Sequence, residues 1–164
     1  QLHRIGMRLC AVSVAIKRVV QQAQCLLSTL LGISAASSFT PVNSFEKVLT
    51  IHKQFLPEVI ERKSPGTIRG FKHYSPAGIL YSSPNNIYEN LQKCMKIKSP
   101  MIKHYVYEWI HPFCDGNGRS GRIILASDLN FNFKHINQLI GKNYIPNMVS
   151  FMEQRNIGEE LKKI

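Results

Sequence analysis

The tightest constraint on this chain is the stretch His111-Pro112-Phe113-Cys114-Asp115-Gly116-Asn117-Gly118-Arg119-Ser120-Gly121-Arg122, followed directly by the apolar run Ile123-Ile124-Leu125-Ala126. Gly116 and Gly118 let the backbone take positive φ and come close to a ligand. A turn of that kind at the head of a helix aims main-chain N–H groups, and the positive end of the helix dipole, at an anion. Arg119 and Arg122 stand three apart, so on a helix they project from one face, and their forks suit phosphate oxygens. Asp115 lies just before the cradle, where a hard oxygen ligand for Mg²⁺ is needed. His111 is the one side chain in the stretch that is ordinarily a base near neutrality. Pro112 biases His111 toward extended backbone, and Phe113 can anchor the loop in a core. Taken singly these residues are weak signals, because a Gly/Asn/Asp cluster often does no more than cap a helix. Together they describe a grip on a nucleotide polyphosphate and its metal, with a base beside the phosphorus.

The stretch resembles in full the signature of the Fic family, His-Pro-Phe-x-Asp/Glu-Gly-Asn-Gly-Arg-x-x-Arg. Most proteins of that family move AMP from ATP to a hydroxyl side chain of a target protein. The resemblance implies that His111 deprotonates the attacking Ser, Thr or Tyr hydroxyl and that Asp115 holds Mg²⁺ on the α- and β-phosphates. It further implies an anion hole from Gly116, Asn117 and Gly118, Arg119 and Arg122 on the β- and γ-phosphates, and a structural Phe113. The segment from Ile51-His52 to the turn Gly66 to Arg69 is also similar to the family. His52 itself reads as a packed core histidine, since nothing acidic or nucleophilic accompanies it. The fold implied is mainly α: a compact helical bundle with a short β-hairpin flap beside the active-site loop.

Around that centre the chain of 164 residues is read as one domain, with a core over about 45–140. N-terminal helices are expected over about 2–36 and a C-terminal helix over about 146–162. Phe45, Val48, Leu49, Ile51, His52, Phe55 and Leu56 have helical spacing behind a Ser44 cap. Ile68 to Tyr81, with Pro76-Ala77-Gly78 inside it, reads as a hairpin. In the family such a flap pairs with the target's backbone by strand addition, here through Tyr74, Gly78, Ile79 and Leu80. Further helices are expected from Pro84, from Met101 to Ile110, from Arg122 to about Phe131, and over Ile136–Ile140 and Pro146–Gln154. A break is expected at Asn156-Ile157-Gly158, before a charged tail.

A net charge of +11 favours polyanionic partners, but the basic residues form no long block, which argues against a nucleic-acid arm. The four cysteines show neither CxxC nor zinc spacing and read as reduced thiols of a bacterial cytoplasmic protein, a reading compatible with later export as an effector. Cys25 to Ile33 leading into Ser34-Ala35-Ala36-Ser37 imitates a signal peptide, yet no apolar run is long enough to span a membrane. Many Fic proteins carry an inhibitory helix, Ser/Thr-x-x-x-Glu-Gly/Asn. Here Glu89-Asn90 has Asn85 where Ser/Thr is required, and Glu153 is followed by Gln154. Ser150 to Glu153 is the nearest degenerate version, and a small antitoxin partner supplying the helix is the other expectation. Gly118-Arg119 argues against the kinase-like relatives, which carry Lys-Arg. Transfer of UMP or phosphocholine on the same scaffold, and a basic binding module with a dead site, remain the alternatives.

Overall fold

The computed structural model describes residues 42–55, 66–139, 141, 143–154, 157–162 and 164. The N-terminal helices expected over about 2–36 lie outside the described residues. Seven α-helices are seen among them: α1 (Phe45–Phe55), α2 (Ile87–Cys94), α3 (Pro100–Ile110), α4 (Asn117–Asp128), α5 (Phe133–Leu139), α6 (Tyr144–Gln154) and α7 (Ile157–Lys162). None is long and apolar enough to cross a membrane.

Local chemistry fixes where these helices begin and end. Ser44 caps α1, its hydroxyl accepting the Lys47 amide at 3.4 Å. A 3-10 turn at Pro84–Asn86 leads into α2, and Pro100 opens α3, where a missing N–H costs nothing. α4 starts at Asn117, five residues earlier than the Arg122 start expected from the apolar run, because Gly116 at φ 78° supplies the left-handed entry. It stops at Asp128, ahead of Asn130 and Phe131 at positive φ. The C-terminal helical region expected over about 146–162, with its break near Asn156-Ile157-Gly158, is seen as two helices, α6 and α7. The charged tail is helical because Ile157 and Leu161, four apart, both land in the core.

α3 and α4 form the central pair, with α1 against α4, α2 between α3 and α7, and α6 on α3. One apolar cluster, including Val48, Ile51, Leu91, Tyr107, Ile110, Phe113, Ile123 and Ile124, runs from Val42 to Leu161. Tyr107 is fully buried, as expected of a core aromatic, and its hydroxyl meets Ser120 Oγ at 2.6 Å; Tyr105 and Trp109 are only half-buried. Lys103 and Asp128, both buried, pair at 2.9 Å and tie α3 to the end of α4.

The hairpin expected over Ile68 to Tyr81 is not a strand pair. Among the described residues there are only isolated bridges, Tyr74 with Leu80 and Ile68 with Phe113. The tip closes through Ser75 N–H to Ile79 C=O and Ile79 N–H to Ser75 Oγ, with Gly78 at φ 81°. Beyond the Tyr81–His73 hydrogen bond the two arms separate. The carbonyls of Phe71 and Ser82 turn instead to the guanidinium of Arg69, which lies between them. A third pairing ties the first arm to the motif loop, Arg69 N–H to Pro112 C=O at 2.9 Å. Ser82 N–H goes to Trp109 C=O at 3.2 Å. A cavity of about 330 Å³ opens beside this return, lined by Leu80, Tyr81, Ser82, Trp109 and Leu161 among others.

Packing at the α3–α4 contact is close enough to dictate a residue. A Cβ on Gly121 would collide with Glu108 Oε1 and stand 3.0 Å from both His104 and Tyr107. Gly121→Ala is therefore expected to lower unfolding stability by up to about 2 kcal/mol, an overpacking cost of about 1–3 kcal/mol set against a helix-propensity gain of about 1 kcal/mol. Urea unfolding of the two proteins measures it.

Candidate active site

The site is assembled where α3 ends, a loop crosses, and α4 begins. His111 caps α3 in the left-handed conformation, φ 48° and ψ 60°, not the extended one its proline neighbour suggested. Pro112 does bar a further helical turn, but the chain must reverse at once, and a left-handed residue closes a helix more tightly than an extended one. The His111 carbonyl is held there by Arg69 Nε at 2.6 Å.

Arg69 is 2 % exposed, and its guanidinium donates to four main-chain carbonyls: His111, Phe71, Ser82 and Ile110. Only a planar fork with several donors can serve so many acceptors at once. Its composition offered no hint of this role, since one arginine in a basic chain looks like solvated charge. The turn from Gly66 to Arg69 had marked its position without its function.

The loop from Pro112 to Gly116 is fastened from three sides. Phe113 is fully buried, as expected, and its ring stacks on the His52 imidazole with centroids 3.6 Å apart. His52 is indeed a packed histidine, and it also orients the motif. The Gly66 amide donates to Nδ1 at 2.8 Å, so Nε2 carries the proton and donates to the Asp115 carbonyl at 2.9 Å. The Asn117 side chain binds both ends of Phe113: its Oδ1 accepts the Phe113 amide and its Nδ2 donates to the Phe113 carbonyl. With that side chain so occupied, Asn117 can offer an anion only its main-chain amide.

Asp115 and the arginines face back along α4. Asp115 Oδ1 accepts the Gly116 amide at 2.7 Å, and Oδ2 lies 3.6 Å from Arg119 Nη2. Arg122 reaches back to Gly118, whose added Cβ would stand 3.3 Å from its Nη1. Both arginines thus lean four residues toward the helix start, as side chains on a helix do. No group of three or more acidic, histidine or cysteine ligands exists among the described residues. A half-exposed carboxylate at the mouth of a phosphate cradle suits a Mg²⁺ that arrives with its phosphates, since that ion keeps water and phosphate oxygens as most of its ligands.

Around His111 the environment favours a neutral ring. Nδ1 lies 3.3 Å from the Glu108 carbonyl, which can only accept, so the lone pair is on Nε2. The ring stacks on Tyr81 at 4.0 Å and 5°, and beside His73 at 5.3 Å. Burial, helped by the nearby His73 and Arg69, holds the His111 pKa down to about 4. Tyr81 and His73 come from the flap segment, and only the folded chain brings them here. Of the flap residues, Tyr74, Gly78 and Leu80 are exposed, whereas Ile79 packs against the core. Cys114, at the variable position, is exposed; Cys94 is buried, its thiol pushed up by burial.

The profile of the Fic/DOC family matches residues 42–127, more than half of the chain, so the chain belongs to that family. Over 74 residues it is 40% identical to the probable protein adenylyltransferase aq_aa38 of Aquifex aeolicus (strain VF5), an alignment covering 42% of this chain and 22% of that protein. Among solved structures it is similar to Fic-1 (aa134–508) from C. elegans, with a TM-score of 0.43 and 17% identity over 83% of this chain and 50% of the other. It spans about a fifth of the first relative's length and half of the second's.

Two measurements probe the frame of the site. Arg69→Lys leaves at least two buried carbonyls without donors and is expected to cost about 2–4 kcal/mol in urea unfolding, at about 1–3 kcal/mol for each orphaned group offset by partial retention of charge. Acid is expected to destabilise the fold as well. His52, His104 and His111 are all held near 4 by burial, so unfolding takes up protons between about 6.5 and 4, and stability falls as pH drops through that window. Glu108, raised to about 7, acts in the opposite sense, but three groups outweigh one. Melting temperature against pH reads the sign.

Proposed function

We propose that this protein is an adenylyltransferase, moving AMP from ATP to a Ser, Thr or Tyr hydroxyl of a target protein. The observation that carries it is a neutral His111, its Nδ1 on a carbonyl and its Nε2 bearing a lone pair, at the mouth of the glycine-bracketed head of α4. The relative in Aquifex aeolicus, a probable protein adenylyltransferase by name, supports the same class.

In this reading His111 Nε2 takes the hydroxyl proton as the target oxygen attacks the α-phosphorus in line, and pyrophosphate leaves. The main-chain amides of Asn117 and Gly118, joined by that of Gly116 once Asp115 releases it for the metal, stabilise negative charge on the phosphate oxygens, with the α4 dipole behind them. Arg119 and Arg122 hold the β- and γ-phosphates. Asp115 is the ligand for Mg²⁺, which when bound neutralises phosphate charge. Arg69 and His52 act on the chain that carries these groups, fixing the His111 and Asp115 carbonyls. The exposed Tyr74, Gly78 and Leu80 rim, above the stacked Tyr81, is where the target segment would dock. Inhibition falls to a partner that inserts a glutamate beside Arg122, the role of a small antitoxin.

Incubation with α-labelled ATP and a lysate is the test. The wild-type protein should label a protein band, and His111→Ala should bind ATP while transferring on the order of 10²–10⁴ times more slowly. Label from γ-labelled ATP or from UTP instead would replace AMP transfer with one of the alternatives, and transfer by His111→Ala would remove the base. The acid limb of the rate profile should lie well below 6.5, since His111 stays neutral down to about 4. Tyr81→Ala, which uncovers the ring, should move that limb upward.

A further inference from the structure

Among the described residues the His111 ring makes one hydrogen bond, from Nδ1 to the Glu108 carbonyl, and at 3.3 Å that bond is long. The torsion that turns an imidazole about its Cβ–Cγ bond is broad, so a single weak tether leaves the ring free to swing. Nε2, two bonds out from the pivot carbon, moves with it. Something else must settle the plane of the ring.

The flap segment supplies it. The Tyr81 ring lies on the imidazole with centroids 4.0 Å apart and planes 5° from parallel. His73, from the other arm, stands beside both, 5.3 Å from His111 and 5.5 Å from Tyr81. Phe71 meets His73 edge-on at 6.1 Å. The main chain holds Tyr81 on both sides. Its amide donates to the His73 carbonyl at 3.1 Å, and the amide and carbonyl of Ser82 are taken by Trp109 and Arg69. A stack fixes a plane but leaves two ring positions half a turn apart. The Glu108 carbonyl selects between them, because only one sets Nδ1, and not a carbon, beside the acceptor. Two constraints, each incomplete, together leave one direction for Nε2.

We propose that Tyr81 is a positioning residue for His111: its ring, and not its hydroxyl, holds the imidazole in the plane from which Nε2 meets the target hydroxyl. This rests on the reading of His111 as the base. The Arg69 guanidinium that fixes the His111 carbonyl also takes the carbonyl of Ser82, next after Tyr81, so one segment locates both the main chain and the ring of His111. Such preorganisation acts on rate and leaves the grip on nucleotide alone, since a displacement of about 1 Å at a reacting group can cost about a hundredfold.

Two measurements on the full chain test it, label transfer from α-labelled ATP to lysate protein and calorimetric titration with MgATP, in wild type, Tyr81→Phe, Tyr81→Leu and Tyr81→Ala. Tyr81→Phe should transfer at the wild-type rate. Tyr81→Leu, which has bulk but no flat face, and Tyr81→Ala should slow on the order of ten- to a hundredfold while binding MgATP as tightly as wild type. A Phe variant as slow as Ala, a Leu or Ala variant at the wild-type rate, or a loss of MgATP affinity matching the loss of rate overturns the proposal. The carbon-bound imidazole protons of His111 give an NMR reading that needs no transfer activity. In the wild type the Tyr81 ring current should shift them upfield, and carbon relaxation should show a rigid ring; in Tyr81→Leu the shift should vanish and the ring should swing. No upfield shift in the wild type, or a ring equally rigid without Tyr81, overturns the proposal whatever the activity. A wild-type chain that transfers nothing from ATP sinks the reading of His111 as the base, while the rigidity of that ring still decides whether Tyr81 holds it.

Discussion

A single buried guanidinium holds the active region together. Arg69 binds the carbonyl that ends α3, the carbonyl of His111, and one carbonyl from each arm of the flap segment. Burying that charge is tolerable because four of the fork's N–H groups meet carbonyl oxygens. The cost appears as geometry: the flap cannot zip into a ladder, since two of the carbonyls it would use are engaged elsewhere. The benefit appears there too, because the same ion ties both arms of the flap segment to His111.

The motif loop is governed by a similar economy of polar atoms. His52 spends one ring nitrogen and one ring face on it, its other nitrogen tied to the Gly66 amide, and Asn117 spends both ends of its side-chain amide. Asp115 meanwhile reaches the Gly116 amide and the Arg119 guanidinium. Signature residues thus differ in how much of the loop's shape they hold, and Asn117 holds it through its side chain.

Much of this was legible in the chain. The helices followed from apolar spacing, and the motif pointed to the family the chain belongs to. What escaped was the product of distant contacts. Aromatic and branched residues between Ile68 and Tyr81 read as two strands, but Arg69 decides otherwise from inside the segment. An apolar run starting at Ile123 suggested a later helix start, whereas Gly116 allowed α4 to begin within the motif. Tyr81 and His73 carry no local mark of proximity to His111. Nothing local marks Tyr144 either, whose hydroxyl meets the ring of a histidine forty positions away.

The placement of Trp109 has a practical corollary. It is the only tryptophan in the sequence, half-buried, two residues before His111, and its carbonyl receives the amide by which the flap's second arm rejoins α3. Its indole borders the same hollow as Leu80 and Tyr81. Intrinsic emission from this protein is therefore a built-in optical gauge of that junction, reporting occupancy or displacement there without any attached dye.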